Sequence, residues 1–345
     1  MDTKAIEFLV LCVFSLLAIL AGYVARERGW VREETSRRIH WVTIVVLWST
    51  AGLLSLWNLT PDPANLWVLV IVPLCVAIPA YLTYLLTRML KMRPNRAGVL
   101  VIAAGTSNSG FTLGAFLSYT LLPSPGLLES ETAKGADPQT LAYNALAYGV
   151  LTVMTMSAAT VFLLFPLAYK LGDNGQDDAP LRTIILRSFV DWKAMMFYLA
   201  VVGVALAYLH VPFPQFVHDF HVLKLLFYSG AAGAYFGVGM RLHFSEIRPN
   251  LRAHLLLAGM KFAAVPLLAG AILWGVMRLG VVEPPSPLMI QALMLLAFMP
   301  TAIQTVILSN LFHLDARMAS SVWFVNTLLF FLIPLPVILV ALRWL

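Results

Sequence analysis

Apolar residues in this chain run in long blocks, each closed by a short segment where Lys, Arg, Pro or Gly gather. A helix needs about 20 mostly apolar residues to cross a bilayer, because the hydrocarbon core is roughly 30 Å thick and a helix rises about 1.5 Å per residue. Ten such blocks can be drawn, near residues 5–25, 39–57, 65–87, 98–121, 141–169, 192–210, 221–240, 254–278, 288–312 and 318–342. No alternating segments of the kind a membrane barrel needs recur, so the backbone polar groups must be satisfied within helices. The expected fold class is all-α, a polytopic membrane protein with ten transmembrane helices.

Composition agrees with that pattern. A chain of 345 residues that is 60% hydrophobic and 12% charged, with mean hydropathy +0.83, is excluded from the ordinary soluble class, where charged residues run near a quarter. The basic residues then set an orientation. Odd-numbered loops carry them: Arg26, Arg28, Arg32, Arg37 and Arg38 in the first; Arg88, Lys91, Arg93 and Arg96 in the third; Lys170, Arg182, Arg187 and Lys193 in the fifth. The seventh holds Arg241, Arg248 and Arg252, and the ninth Arg317. Even-numbered loops are nearly bare, with Lys134 in the fourth, Lys224 just inside the seventh block and Arg278 at the edge of the eighth. The positive-inside rule therefore expects a multi-pass protein of the bacterial inner-membrane type with both termini outside. A miscounted helix would destroy the alternation, so it also supports the count.

The net charge of +6 follows from these loops. It fits membrane lipids as the partner and implies no nucleic acid. Cys12 and Cys75 both fall inside spans, where they read as small apolar fillers without a disulfide. The first span lacks a small-residue cleavage site and precedes its arginines, so it is expected to stay in the mature protein. Trp30, Trp41, Trp57, Trp67, Trp192 and Trp344 fall at expected interfaces, as a belt of anchors would.

Ten helices divide at the most polar stretch, Leu171 to Arg187, which contains GDNGQDD. Residues 1–170 then form a first five-helix unit, 171–190 a cytoplasmic linker and 191–345 a second unit. An odd number of helices per unit turns the second upside down relative to the first, which is the arithmetic of an inverted repeat. In the fourth block, AAGTSNSGFTLGAF gathers Gly105, Thr106, Ser107, Asn108, Ser109, Gly110 and Thr112. In the ninth, LAFMPTAIQTVILSN places Pro300 ahead of Thr301, Gln304 and Thr305. Both read as broken helices, and freed backbone at membrane depth is tolerated only where protein or a watery cavity satisfies it. Matched interruptions in two halves point to a solute-binding site, whereas small residues or a proline kink in one helix alone are explained by ordinary packing.

Ionisable residues inside spans are costly and are functional candidates. Lys261, within AGMKFAAVP, is the deepest. It either faces a cavity, attracting an anionic substrate or filling an empty cation site, or snorkels to the nearby interface. No Asp or Glu is central in any span, which disfavours a pump driven through a buried carboxylate. His254, near a helix start, reads first as an interfacial residue, with proton coupling as the alternative. Sodium coupling would draw on oxygen ligands such as Asn108, Thr106, Thr301 and Gln304. No cofactor is expected, and coupling to Na+ or H+ stays open. Asn144 and Asn326 read as interhelical hydrogen-bonding residues.

Three stretches carry a resemblance: GYVARERGWVREETSRRI at Gly22 to Ile39, NSGFTLG at Asn108 to Gly114, and MPTAIQTVILSNLFHLDARMASSVWFVNTLLFFLIPLP at Met299 to Pro336. In these the chain resembles the auxin efflux carrier family of permeases, itself akin to bile-acid sodium symporters. The resemblance implies two inverted five-helix repeats with helices four and nine unwound and crossing at the midplane. It implies a scaffold of helices one, two, six and seven, a moving domain of the other six, and a small organic anion such as a carboxylate as substrate. By position, Asn108 would face the substrate from the first crossover, while Pro300 and Gln304 would shape the second. Ser107, Thr112, Thr301 and Lys261 are further substrate-binding candidates, read from the residues themselves. Dimerisation through the scaffold is implied by the likeness alone. Two family prolines are replaced, by residues 46–49 and 115–116. No enzyme is expected, since no HExxH, GxSxG or acid-rich signature is found; a membrane receptor, a structural membrane protein and a membrane-embedded enzyme are the remaining rivals.

Overall fold

The computed structural model of the chain describes residues 3–110, 113–122, 138–172, 180–190, 195–240, 247–279 and 284–344. Among these residues every regular element is a helix. In chain order they are α1 (Thr3–Glu27), α2 (33–57), α3 (Leu66–Met89), α4 (Pro94–Gly105), α5 (Gly114–Leu121), α6 (138–171) and α7 (Leu181–Val190). Then come α8 (Met195–Tyr208), a short helix at Gln215–Asp219, α9 (Val222–Gly239), α10 (251–279), α11 (Pro287–Ala297), α12 (Gln304–Leu311), α13 (Ala316–Leu332) and α14 (Pro334–Trp344), with single 3-10 turns at Pro63–Asn65 and Arg248–Asn250. Helices α2, α6 and α10 each contain a π-helical turn, at Thr43–Trp48, Thr160–Leu164 and Met260–Ala264.

Among the described residues, six helical segments are long and apolar enough to cross a membrane: Arg38–Trp57, Pro63–Met89, Leu141–Leu171, Val222–Gly239, Arg248–Arg278 and Ala316–Val340. The outer surface agrees. Leu17, Leu69, Phe162, Val201, Leu267 and Val337 are all exposed, an arrangement that water would penalise and lipid does not. The protein is a polytopic, all-α membrane protein.

Helix ends form where the local chemistry requires. Asp62 Oδ1 accepts the Ala64 amide at 2.7 Å ahead of α3, and Asp315 Oδ1 accepts the Met318 amide at 3.0 Å at the start of α13. Proline opens α4, α11 and α14, positions where its missing N–H costs nothing. The stretch expected to be a linker contains α7, because Leu181, Ile184 and Ile185 pack against the interior while Arg182 and Arg187 face outward. An amphipathic stretch of this kind gains more as a helix against apolar neighbours than as a free loop.

Connections between chain-distant ends fall into two sets. In one, Arg26 Nη1 donates to the Met240 carbonyl at 3.0 Å, and Arg96 Nε meets Asp315 Oδ2 at 3.2 Å. In the other, Trp57 Nε1 donates to Val211 O at 3.0 Å, Tyr208 Oη to Asp62 O at 3.2 Å, and the Thr60 amide to Asn144 Oδ1 at 3.1 Å. Tyr148 Oη also lies 3.4 Å from Ser286 Oγ. Asn144 thus ties α6 to the loop before α3.

Helices α1, α2, α8 and α9 pack on one another. The α1–α9 approach is so close that a Cβ on Gly239 would sit 2.0 Å from the Ile19 carbonyl oxygen, and one on Gly22 would sit 2.0 Å from that of Phe236. Gly239→Leu is therefore expected to destabilise the protein by more than about 1–3 kcal/mol, the usual cost of overpacking. Gly259→Ala, where an added Cβ meets nothing within 4 Å, should be neutral or mildly stabilising. Thermal unfolding of both variants in detergent checks the contrast.

Candidate functional site

Two helical runs are interrupted within their length. Between α4 and α5 the chain leaves helical geometry from Thr106, and between α11 and α12 it does so around Met299 to Ala302. Each interruption frees carbonyls on one side and amides on the other, and the question is where they are satisfied.

Most of the answers lie in the other interruption. The Asn108 amide donates to Pro300 O at 2.7 Å, a backbone bond joining the two breaks. Thr301 Oγ1 donates to the Ala103 carbonyl at 2.8 Å, capping the end of α4 from the far segment. Its hydroxyl is also 3.1 Å from Thr305 Oγ1, which is 3.1 Å from Thr106 Oγ1, so three threonine hydroxyls form a chain across the crossing. All three residues are fully buried. Gly114 closes the first break by donating its amide to Asn108 O at 3.0 Å; a Cβ there would fall 2.5 Å from the Ser109 Cα.

The remaining groups are met by flanking helices. The Ser107 amide points at Met156 Sδ on α6 at 3.2 Å, and the Thr301 amide donates to Asn326 Oδ1 on α13 at 2.8 Å. In each break one residue therefore sends its N–H to a side chain of the following long helix. Lys261 Nζ, on α10, donates to Thr106 O at 3.0 Å and to Ser107 Oγ at 2.5 Å. The Thr106 hydroxyl also donates to the Ile102 carbonyl of its own helix at 2.9 Å, so its bond across the crossing adds to a local one. Ser55, Thr152 and Ser309 each return to the carbonyl four residues earlier in their own helix, at 2.6, 2.8 and 2.7 Å, the self-satisfied arrangement of a packing residue.

Of the residues singled out from sequence, Ser107, Asn108, Pro300, Thr301 and Lys261 are brought together at the crossing. Gln304 opens α12, and its Oε1 is buried without a hydrogen-bond partner. Thr112 lies outside the described residues. One alternative is overturned. Lys261 does not snorkel: it is 0% exposed and its head points inward to α4. His254 is 4% exposed and lies 3.1 Å from Ser321 Oγ on α13, because α13 packs over the start of α10. Met156 had no signal in sequence, being one apolar residue among many in α6.

A cavity of about 40 Å³ adjoins the first break, lined by Cys75, Gly105, Ser107, Ser109, Met156 and Ala297 among others. It has room for water and not for an organic solute. On α13, Asn326 Nδ2, Trp323 Nε1 and Thr327 Oγ1 are buried without partners, and the helical spacing of three and four residues puts them on one side. Among the described residues no cluster of three or more His, Cys, Asp or Glu is placed to hold a metal ion. The chain matches no protein-family model and no curated protein sequence.

Thr301→Val removes a hydroxyl but keeps the shape, so it should leave Ala103 O unsatisfied and cost about 1–3 kcal/mol. Asn326→Leu should cost a similar amount by orphaning the Thr301 amide. Ser55→Ala, whose hydroxyl serves only its own helix, should cost less than either; melting temperatures of the three purified variants make the comparison.

Proposed function

We propose that the protein is a secondary transporter that carries a small organic anion, a carboxylate, across the membrane by alternating access around the two interrupted helices. The observation that carries this reading is the Asn108–Pro300 backbone bond: two helices broken at membrane depth are joined at their breaks, the arrangement that transporters use to build a site near the midplane.

Several features support an inverted repeat of five plus five helices. The first interrupted pair is 12 and 8 residues long and the second 11 and 8. Each pair opens with proline. Helix α4 packs on α12 and α5 on α11, so the two pairs run in opposite directions through the crossing. The contacts between connections also obey parity. Arg26–Met240 and Arg96–Asp315 join odd-numbered loops or their edges, whereas Trp57–Val211, Tyr208–Asp62, Thr60–Asn144 and Tyr148–Ser286 join even-numbered ones. Ten crossings with both termini outside fit this division, with the arginine-rich set in the cytoplasm.

The packing of α1, α2, α8 and α9 on one another supports a scaffold distinct from the remaining helices, as the likeness to the auxin efflux carriers implies. Between α2 and α8 of that scaffold and α3 and α6 of the other group lies an apolar crevice of about 600 Å³ lined by Leu69, Pro73, Leu151, Phe162, Phe197 and Val201 among others. Its lining suits lipid chains and lets the two groups slide. For the anion, the unpaired donors Asn326 Nδ2 and Trp323 Nε1 stand on the helix flanking the second break, and the N-terminal end of α12 adds partial positive charge. The small cavity is then the closed state of a path that opens alternately to either side.

Purified protein in liposomes should take up at least one labelled mono- or dicarboxylate above the level of empty liposomes when sodium, proton or voltage gradients are imposed in turn. Dependence on a sodium gradient would select the sodium-symport version of the same reading. Asn108→Ala is expected to lower that uptake about tenfold or more, the worth of one hydrogen bond to a charged solute. Uptake equal to empty liposomes for every anion tested would remove the substrate class.

A further inference from the structure

The side chain of Lys261 poses a separate question. A charged ammonium deep in a membrane protein is normally paired with a carboxylate. Here it is not. Among the described residues the ion pairs are Arg26–Glu27 and Arg96–Asp315, and neither involves Lys261. Its hydrogen-bond partners are a carbonyl oxygen and a hydroxyl oxygen, Thr106 O at 3.0 Å and Ser107 Oγ at 2.5 Å, with the lysine fully buried.

Those partners are the ligands an alkali cation takes in a membrane protein: an unwound backbone carbonyl and a neighbouring hydroxyl at the C-terminal end of a half-helix. The end of α4 also carries the negative pole of the helix dipole. We propose that Lys261 is a built-in cation: its ammonium fills a monovalent-cation site formed by Thr106 O and Ser107 Oγ, and this site accepts a free Na+-sized cation once the lysine head is removed.

Three further features fit. The π-helical turn Met260–Ala264 contains Lys261, and such turns are frequent at functional sites. The cavity beside Ser107 has room for the waters that would complete the coordination of a free ion. A tethered ammonium supplies the same single charge with no loss of a free ion's translational entropy, which explains how the crossing stays assembled without a carboxylate. The role of Lys261 is independent of the transport reading, because it is measured as stability and cation binding.

The experiment compares the full-length wild type with Lys261→Ala and Lys261→Met in detergent, exchanging NaCl, LiCl or methylammonium chloride for N-methylglucamine chloride at constant ionic strength. Wild-type melting should not distinguish the salts. The alanine variant should melt lower in N-methylglucamine and recover by about 5 °C in a small cation at saturation. Lys261→Met keeps much of the stem's packing, so it guards against a variant that fails to fold. It should bind radiolabelled Na+ that the wild type does not. Adding Ser107→Ala to either variant should weaken the cation response at least tenfold in concentration. The proposal is overturned if no small cation stabilises the alanine variant more than N-methylglucamine does and the methionine variant binds no Na+. It is equally overturned if the wild type shows the same cation response as the variants.

Discussion

Hydrocarbon offers no hydrogen bonds, and the rest of this structure depends on that. An unsatisfied amide or carbonyl at membrane depth costs several kcal/mol, so a helix can break there only where something else supplies the missing partners. In this protein two helices break, and each repairs much of the other's damage. Asn108 and Pro300 share a backbone bond, Thr301 caps the carbonyl end of α4, and the Thr106–Thr305–Thr301 hydroxyls run between the segments. Neither interruption would be tolerable alone.

Mutual repair ties the two interruptions together. A displacement of Thr106 or Asn108 strips partners from Pro300 and Thr301, and flanking helices hold the remaining groups. Asn326 on α13, Met156 on α6 and Lys261 on α10 are those holders. By contrast, α1 and α9 approach through Gly22 and Gly239 so closely that carbonyls of one helix lie where a Cβ of the other would be. That contact is a close approach of two helix backbones. The centre is instead cross-braced by polar bonds between the two interrupted segments.

The charge balance obeys the same logic. Lys261 donates to two oxygen atoms that the broken helix exposes, and among the described residues it is in no ion pair. Dipoles of backbone and hydroxyl groups therefore do the work that a carboxylate does elsewhere.

The apolar blocks and their basic loops made the membrane class and the helical fold legible, because span length is set by bilayer thickness and any residue order with enough apolar length satisfies it. Gly105 to Gly110 and Pro300 also marked where helices would break, since glycine and proline act locally on the backbone. The repair of each break is not local. That Met156 would take the Ser107 amide, that Asn326 would take that of Thr301, and that Lys261 would turn inward to α4 while His254 is covered by α13 depended on which helices lie side by side. Residue order alone sets where backbone groups are freed. Helix packing sets what satisfies them, because in a bilayer those partners must come from other helices brought close.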